Sequence, residues 1–217
     1  MSKILVPLGV DCGLTQWLKD AGLRNFSLPF DWTVSYNGVS DIIDNEFIDY
    51  IPHETNKFNT LDIGNNGQLN KYDVRFIHHN FPNDNEKINR KISRFLNLLQ
   101  SDNEIIFLRK GHSEHHHDEC NNLTDEFLDC QKLYDILKLK YKNLKFKIIL
   151  FLVCSKCYNN KTYETSNVIV YNISNLDGGV FGVNREERLN LVRNLYSDFE
   201  KQAELKKNLL ESFQINF

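Results

Sequence analysis

The chain has 217 residues, of which 41% are hydrophobic and 25% are charged, and its formal net charge is −3. This length and composition fit one medium-sized globular domain over residues 1–217 and exclude wholesale disorder. The slightly acidic balance excludes the basic field of a nucleic-acid-binding protein, so no nucleic-acid partner is expected.

Cysteine content and hydropathy bear on the compartment. The longest apolar run, residues 148–154, is about a third of the length that a membrane-spanning helix needs. The odd number of cysteines, five, argues against a disulfide framework and is typical of a reducing compartment. We therefore expect a soluble cytoplasmic protein without a membrane partner.

Apolar runs of strand length alternate with helical spacing along the chain. Strands are predicted at residues 4–8, 72–77, 104–108, 146–153 and 168–173, and helices at residues 14–23, 38–50, 85–99, 124–141 and from residue 184 onward. Residues 52–70 are rich in Asn, Gly and Asp and indicate an irregular segment. The alternation predicts an α/β fold: a mostly parallel open sheet of about five strands with helices on both faces.

The turn between the first strand and the first helix carries Cys12, flanked by Gly9 and Gly13. A helix N-terminus offers unpaired N–H groups and the positive end of a dipole. That environment lowers the pKa of a thiol and favours the nucleophilic thiolate. The alternative interpretation is a small, partly buried residue in a tight turn.

Other reactive side chains follow the predicted strands at their carboxyl ends. They are His78, His79, Arg109, His112, Cys154 and Asp177. Because the carboxyl ends of parallel strands meet at one edge of a sheet, these residues and Cys12 are expected to line a single ligand cleft.

A histidine at that edge would complete a nucleophilic pair with Cys12. A cysteine hydrolase needs a histidine that accepts the thiol proton and a third group that orients the imidazole. His78 and His79 point to opposite sides of a strand, so only one of them is expected to serve. Asp31, in the rigid turn before Trp32, is a candidate partner for the imidazole.

Metal and nucleotide sites have little support in the sequence. Residues 112–120 are rich in His, Asp and Glu but match no recognised ligand spacing, so adventitious metal binding is the favoured interpretation. Cys154 and Cys157 form one Cys-x-x-Cys pair without a second pair. No glycine-rich phosphate loop occurs, and no cofactor is expected.

Several separated segments resemble one uncharacterised family of bacteria and large DNA viruses, described as papain-like cysteine peptidases. The segments are Leu8-Gly9 with Cys12, residues 23–24, residues 27–32 (Ser-Leu-Pro-Phe-Asp-Trp), residues 76–81 around His79, and residues 90–96 leading into residues 105–109. The resemblance covers about the first half of the chain. It implies that Cys12 is the nucleophile and His79 its base. Where an acidic residue is expected after that histidine this chain has Asn80, and an Asn orients the imidazole in papain-type triads.

The resemblance also implies a papain-like α+β fold, in which a helical half carries the cysteine and an antiparallel barrel carries the histidine. That expectation conflicts with the α/β alternation, and we prefer the pattern of the residues for the fold.

The first functional hypothesis is a cysteine-dependent hydrolase or acyl transferase that acts on a peptide, isopeptide or small acyl substrate. Cys12 attacks the carbonyl, His79 moves the proton, and Asp31 or Asn80 orients the imidazole. Backbone N–H groups at Gly13 and Leu14 stabilise the oxyanion.

The second hypothesis is a non-catalytic α/β module that binds a sugar or an anionic ligand at the same edge. Its binding residues are Arg24, Arg109 and the histidines His78, His79 and His112, with Gly13 and Trp32 at the pocket. A third hypothesis is a metal-dependent enzyme that uses residues 112–120.

Overall fold

The structure, a computed structural model, describes residues 3–35, 38–52, 57–59, 66–112, 125–154, 162–164 and 168–174, together with residues 186, 190 and 193. The elements in these ranges, in chain order, are β1 (Lys3–Pro7), α1 (Gly13–Asp20), α2 (Val39–Asp44), β2 (Lys57–Asn59), β3 (Asn66–Leu69), β4 (Arg75–Phe76), α3 (Asn85–Leu99), β5 (Glu104–His112), α4 (Asp125–Lys140), β6 (Lys145–Cys154), β7 (Thr162–Glu164) and β8 (Ile169–Ser174).

The main sheet has five strands in the order β1-β5-β6-β8-β7. Strands β1, β5, β6 and β8 are parallel, and β7 joins the far edge antiparallel to β8. This arrangement confirms the predicted α/β fold with a mostly parallel open sheet. The papain-like alternative, with its antiparallel barrel, is not the architecture of the described residues.

Helices cover both faces of the sheet because side chains alternate along each strand. On one face, α1 packs Leu14, Trp17 and Leu18 against strand residues such as Ile106 and Leu108. The other face carries the larger core, to which α2, α3 and α4 all contribute. The N-terminus of α1 is thereby fixed at the carboxyl end of β1.

The strand predicted at residues 72–77 is wrong in extent and in place. Only Arg75 and Phe76 are extended, and they form β4, which pairs antiparallel with β3 in a separate sheet of order β2-β3-β4. The side chain of Asn70 explains the shortening, because its Oδ1 accepts hydrogen bonds from the backbone N–H groups of Tyr72 and Val74. The resulting turn replaces a strand. The irregular segment predicted at residues 52–70 is wrong as well, since it contains β2 and β3.

Strand β5 is longer than predicted and reaches His112, so Arg109 and Lys110 lie inside it and are buried. The loop at residues 113–120, Cys157, Asp177 and the helix predicted from residue 184 fall outside the described residues, apart from three isolated positions. Within the part of the chain that the structure describes, every helix is too short or too polar to cross a membrane.

Candidate functional site

The turn from β1 into α1 has an unusual backbone. Gly9 and Val10 both have left-handed φ angles, +80° and +58°. For a β-branched residue such as Val10 this conformation costs about 1–3 kcal/mol. A side chain at Gly9 would collide with Ser35 Oγ, and the N–H of Ser35 donates to the carbonyl of Val10 at 3.0 Å. Tertiary contacts therefore hold the strained turn in place.

Arg109, on β5, holds this turn in place through hydrogen bonds to its backbone. Its side chain is 1% exposed, and it donates from Nη1 to the carbonyl of Leu8 and from Nη2 to the carbonyl of Ser35, both at 2.7 Å. These bonds tie β5 to the end of β1. Its described contacts therefore position backbone, whereas the ligand-binding role in the second hypothesis stays a prediction.

Cys12 is the N-cap residue of α1 and is half-buried. Its carbonyl accepts the first helical hydrogen bond, from the N–H of Gln16 at 3.0 Å. Beside it, the carboxylate of Asp11 accepts from the N–H of Gly13 and pairs with the ammonium of Lys110, each at 2.7 Å. Lys110 is fully buried and lies 5.9 Å from the ring of Trp17. The thiol thus stands next to an ion pair whose lysine is fully buried.

Burial is the largest influence on the thiol, and it raises the pKa of Cys12. The negative charge of Asp11 raises this pKa further, whereas the backbone hydrogen bond and Lys110 lower it. The prediction of a lowered pKa is therefore wrong for this structure, because desolvation outweighs the field of the helix terminus.

The helix N-terminus still offers donors for an oxyanion. The N–H of Gly13 is occupied by Asp11. The side chain of the N-cap residue Cys12 makes no capping hydrogen bond, and within the described ranges no acceptor is bonded to the N–H groups of Leu14 or Thr15. Of the donor pair predicted at Gly13 and Leu14, the N–H of Gly13 is thus taken by Asp11, and the binding of an oxyanion here stays a prediction.

Asp31 lies at the centre of a second polar cluster. It is fully buried, and it accepts hydrogen bonds from Thr15 Oγ1 at 3.1 Å, from Arg24 Nη2 at 2.5 Å and from the N–H of Leu28 at 3.1 Å. Arg24 also donates to Ser27 Oγ. Asp31 therefore connects α1 to the segment that follows it, and its described hydrogen bonds reach neither His78 nor His79.

His79 follows β4 and lies between aromatic rings and a lysine. Its ring centroid is 5.7 Å from that of Phe76 and 6.1 Å from that of Phe81. The ammonium of Lys91, on α3, donates to His79 Nε2 at 3.3 Å. Burial, followed by the charge of Lys91, lowers the pKa of His79 to about 4. The imidazole is therefore neutral at physiological pH.

The remaining predicted site residues lie around this cluster. His78 is exposed and meets the half-buried Trp32 edge to face at 5.9 Å. Trp32 itself has a left-handed φ of +62°. The exposed Asn80 donates its backbone N–H to Asp84 Oδ2 at 2.8 Å. His112 is the last residue of β5, paired with Val153 of β6.

Two neighbouring groups therefore stand where one cleft is predicted. The first surrounds Cys12 and the Asp11–Lys110 ion pair, and the second surrounds Asp31, Arg24, Lys91 and His79, with Thr15 of α1 linking them through Asp31. Among the described residues no hydrogen bond joins Cys12 to either histidine. The catalytic roles of Cys12, His79, Asp31 and Asn80 stay predictions.

Of the two site lysines, Lys91 is missed by the sequence reasoning and Lys110 is not expected to be buried, although the pattern marks both. Lys91 lies on the buried stripe of α3, between Ile88 and Phe95, where a helix that packs on a sheet has apolar residues. Lys110 continues the alternation of Ile106 and Leu108 along β5. A charged residue in register with an apolar face is the signal that identifies them. Within the described ranges no group of three His, Cys, Asp or Glu residues is placed to hold a metal.

The fold and the site define an α/β protein with a free cysteine at the first strand-to-helix turn. A sequence model of the family described as "Putative papain-like cysteine peptidase" matches residues 3–60, which include Cys12, Asp31 and Trp32. The chain is 26% identical over 190 residues to the "Uncharacterized protein R408" of Acanthamoeba polyphaga mimivirus, covering 74% of this chain and 80% of that protein. No solved structure matches the chain significantly. The resemblance to the peptidase family is thus confirmed over the segment that carries the cysteine.

Proposed function

We propose that the protein is a cysteine-dependent hydrolase or acyl transferase with Cys12 as its nucleophile. The position of Cys12 carries this proposal: it is the N-cap residue of α1, in a strained turn that Arg109 and Ser35 hold, beside the ion pair of Asp11 with the buried Lys110. Backbone strain of this kind clusters at functional sites. The family match over residues 3–60 supports the same assignment.

The reaction begins from a protonated thiol, because the pKa of Cys12 is raised. The sulfur attacks the substrate carbonyl, the thiol proton passes to a base, and the N–H groups of Leu14 and Thr15 stabilise the oxyanion. The leaving group departs with that proton, and the thioester passes its acyl group to water or to a second nucleophile. The substrate class is a peptide, an isopeptide or a small acyl group.

For the base we carry over His79 from the family resemblance. Its imidazole is neutral, since its pKa is about 4 in the resting structure, and moving the Lys91 ammonium away would raise its basicity because that charge lowers the pKa. Its Nε2 lone pair accepts a hydrogen bond from Lys91, so the proposal requires that bond to break when substrate binds. His78 is the matched control, because it is the adjacent histidine and is exposed.

The test is the pH dependence of Cys12 alkylation, followed by mass spectrometry of the Cys12 peptide. We compare the wild type with His79→Ala, His78→Ala and His112→Ala, and then react each protein with a panel of thioester and activated-amide acyl donors. The expected result is stoichiometric acylation of Cys12 that slows in His79→Ala and is unchanged in His78→Ala. If only His112→Ala slows acylation, Cys12 stays the nucleophile and His112 replaces His79 as the base.

A Cys12 that no acyl donor modifies, and whose alkylation is indifferent to all three histidines, would overturn the hydrolase. The second hypothesis, a module that binds an anionic ligand, would then stand first. The buried ammonium of Lys91, which forms no ion pair among the described residues, favours this second hypothesis.

A further inference from the structure

Lys91 is a buried cation that forms no ion pair with a described carboxylate, although Asp31 and Asp84 lie near enough to raise its pKa. Its side chain is on α3 and the residue is 3% exposed. Within the described part of the chain no ion pair includes Lys91, and its ammonium has a single hydrogen-bond partner, His79 Nε2. A buried ammonium is costly unless an anion or several acceptors compensate it. The position is therefore one that a negative charge would stabilise.

Two further N–H groups in this cluster lack acceptors. His79 Nδ1 and Arg24 Nε are buried, and no described residue accepts a hydrogen bond from either. Because the ammonium of Lys91 donates to Nε2, the neutral ring carries its proton on Nδ1. Arg24 uses Nη2 for Asp31 and Ser27, which leaves its Nε–H. Two buried N–H groups of this cluster, and the remaining hydrogens of the Lys91 ammonium, thus have no acceptor among the described residues.

The nearby carboxylates do not compensate the positive charge of Lys91, because they have other partners. Asp31 pairs with Arg24, and Asp84 lies at 3.5 Å from Lys87 and accepts the N–H of Asn80. Burial is the largest cause that lowers the pKa of Lys91, to about 8, and the charges of Lys87 and Arg24 lower it further. Asp31 and Asp84 oppose this shift without cancelling it. A lysine pKa that is lowered by burial and by neighbouring cations is typical of a cationic site that lacks a counter-charge.

We propose that Lys91, His79 and Arg24 bind an oxyanion, a phosphate or a carboxylate group of a ligand. Ammonium, guanidinium and imidazole N–H donors form charge-assisted hydrogen bonds to such groups. The part of the cluster nearest to solvent is the segment between β4 and α3, where His79 is half-buried and its neighbours His78 and Asn80 are exposed. This site goes beyond the proposed reaction and does not depend on the reactivity of Cys12.

The experiment titrates the wild-type protein with inorganic phosphate and, separately, with acetate, at constant ionic strength set by chloride. The readout is the NMR signal of the His79 ring, assigned with His79→Gln. We expect a saturable change of this signal and an upward shift of the pKa of His79, because a bound anion opposes the charge of Lys91. A response to phosphate alone identifies a phosphate group as the ligand chemistry, and a response to acetate alone identifies a carboxylate.

Variants on α3 separate a built site from a surface effect. Lys91→Gln should abolish the response, whereas Lys87→Gln removes the same charge from an exposed position of the same helix and should keep it. Lys91→Met serves as a second variant if Lys91→Gln does not fold. The proposal is overturned if neither anion gives a saturable change in the wild type. It is equally overturned if Lys87→Gln abolishes the response while Lys91→Gln does not, which would indicate an adventitious ion only.

The two proposals for His79 are distinguished by independent readouts. Slower acylation of Cys12 in His79→Ala supports the role of base, and loss of the anion response in Lys91→Gln supports the oxyanion site. Failure of one measurement leaves the other standing.

Discussion

Replacing Lys91 with Met should stabilise the protein at neutral pH. Met keeps an unbranched apolar side chain on the buried face of α3 and removes the buried charge. The drop in the pKa of Lys91 from 10.5 to about 8 corresponds to roughly 3 kcal/mol of destabilisation in the charged form, at about 1.36 kcal/mol per pKa unit. The loss of the donor to His79 Nε2 offsets about 1 kcal/mol of that gain. We therefore expect a net increase of about 2 kcal/mol in the free energy of unfolding.

The stability advantage of Lys91→Met over the wild type should decrease as the pH rises. Below the folded-state pKa of about 8, both folded and unfolded chains carry the proton, and the full penalty applies to the wild type. Between pH 8 and pH 10.5 the folded protein releases the proton while the unfolded chain still binds it, so wild-type stability rises. The advantage of Lys91→Met should accordingly shrink over that window and end as a small deficit.

Guanidinium unfolding of both proteins at neutral and at alkaline pH, in buffer without phosphate, measures this difference. Taking the difference between the proteins cancels the other lysines and tyrosines that titrate in the same window. Lys87→Met is the control, because its exposed ammonium should change stability by only a few tenths of a kcal/mol. A Lys91→Met variant that is less stable than the wild type at neutral pH, or a difference that does not vary with pH, would refute the reasoning.

Three further changes test the same structure. Asp11→Asn should lower the pKa of Cys12 and speed its alkylation near neutral pH, because it removes the negative charge beside the thiol. Peptide mass spectrometry measures the rate of alkylation. The thiol of Cys130 is the internal control: it is fully buried, its pKa is about 12, and it should stay unlabelled until the protein unfolds. Asp31→Asn should lower the free energy of unfolding by about 3 kcal/mol in urea titrations, since it leaves Arg24 without its carboxylate; a loss below about 1 kcal/mol would contradict the central place of Asp31. Arg109→Met should cost about 3 kcal/mol by the same assay, because two buried carbonyls lose their donor, and an unchanged midpoint would show that the turn holds itself.

The main sheet is predictable from the sequence, because local patterns encode it. The apolar runs at residues 104–108, 146–153 and 168–173 coincide with β5, β6 and β8, and the helical spacing at residues 85–99 matches α3. Their periods are properties of consecutive residues, so no distant partner needs to be known.

The prediction fails where the hydrogen bonds of one polar side chain override the hydropathy pattern. The hydrogen bonds of Asn70 turn the chain before β4, and this moves His78 and His79 away from any strand of the main sheet. The predicted lowering of the pKa of Cys12 fails for another reason, because the burial of the thiol depends on what packs around the turn. The place of Cys12 at the helix N-terminus is correct, whereas its ionisation is a tertiary property.

The pairing of β1 sets an order of events during synthesis. Strand β1 emerges before its partner β5, whose register pairing begins at Glu104, about a hundred residues later. Until β5 has been translated, β1 lacks the ladder and the Arg109 bonds that hold its final turn. The segment that the family model matches, residues 3–60, therefore lacks the strand with which β1 pairs. On the ribosome, the geometry around Cys12 is assembled only when the middle of the chain arrives.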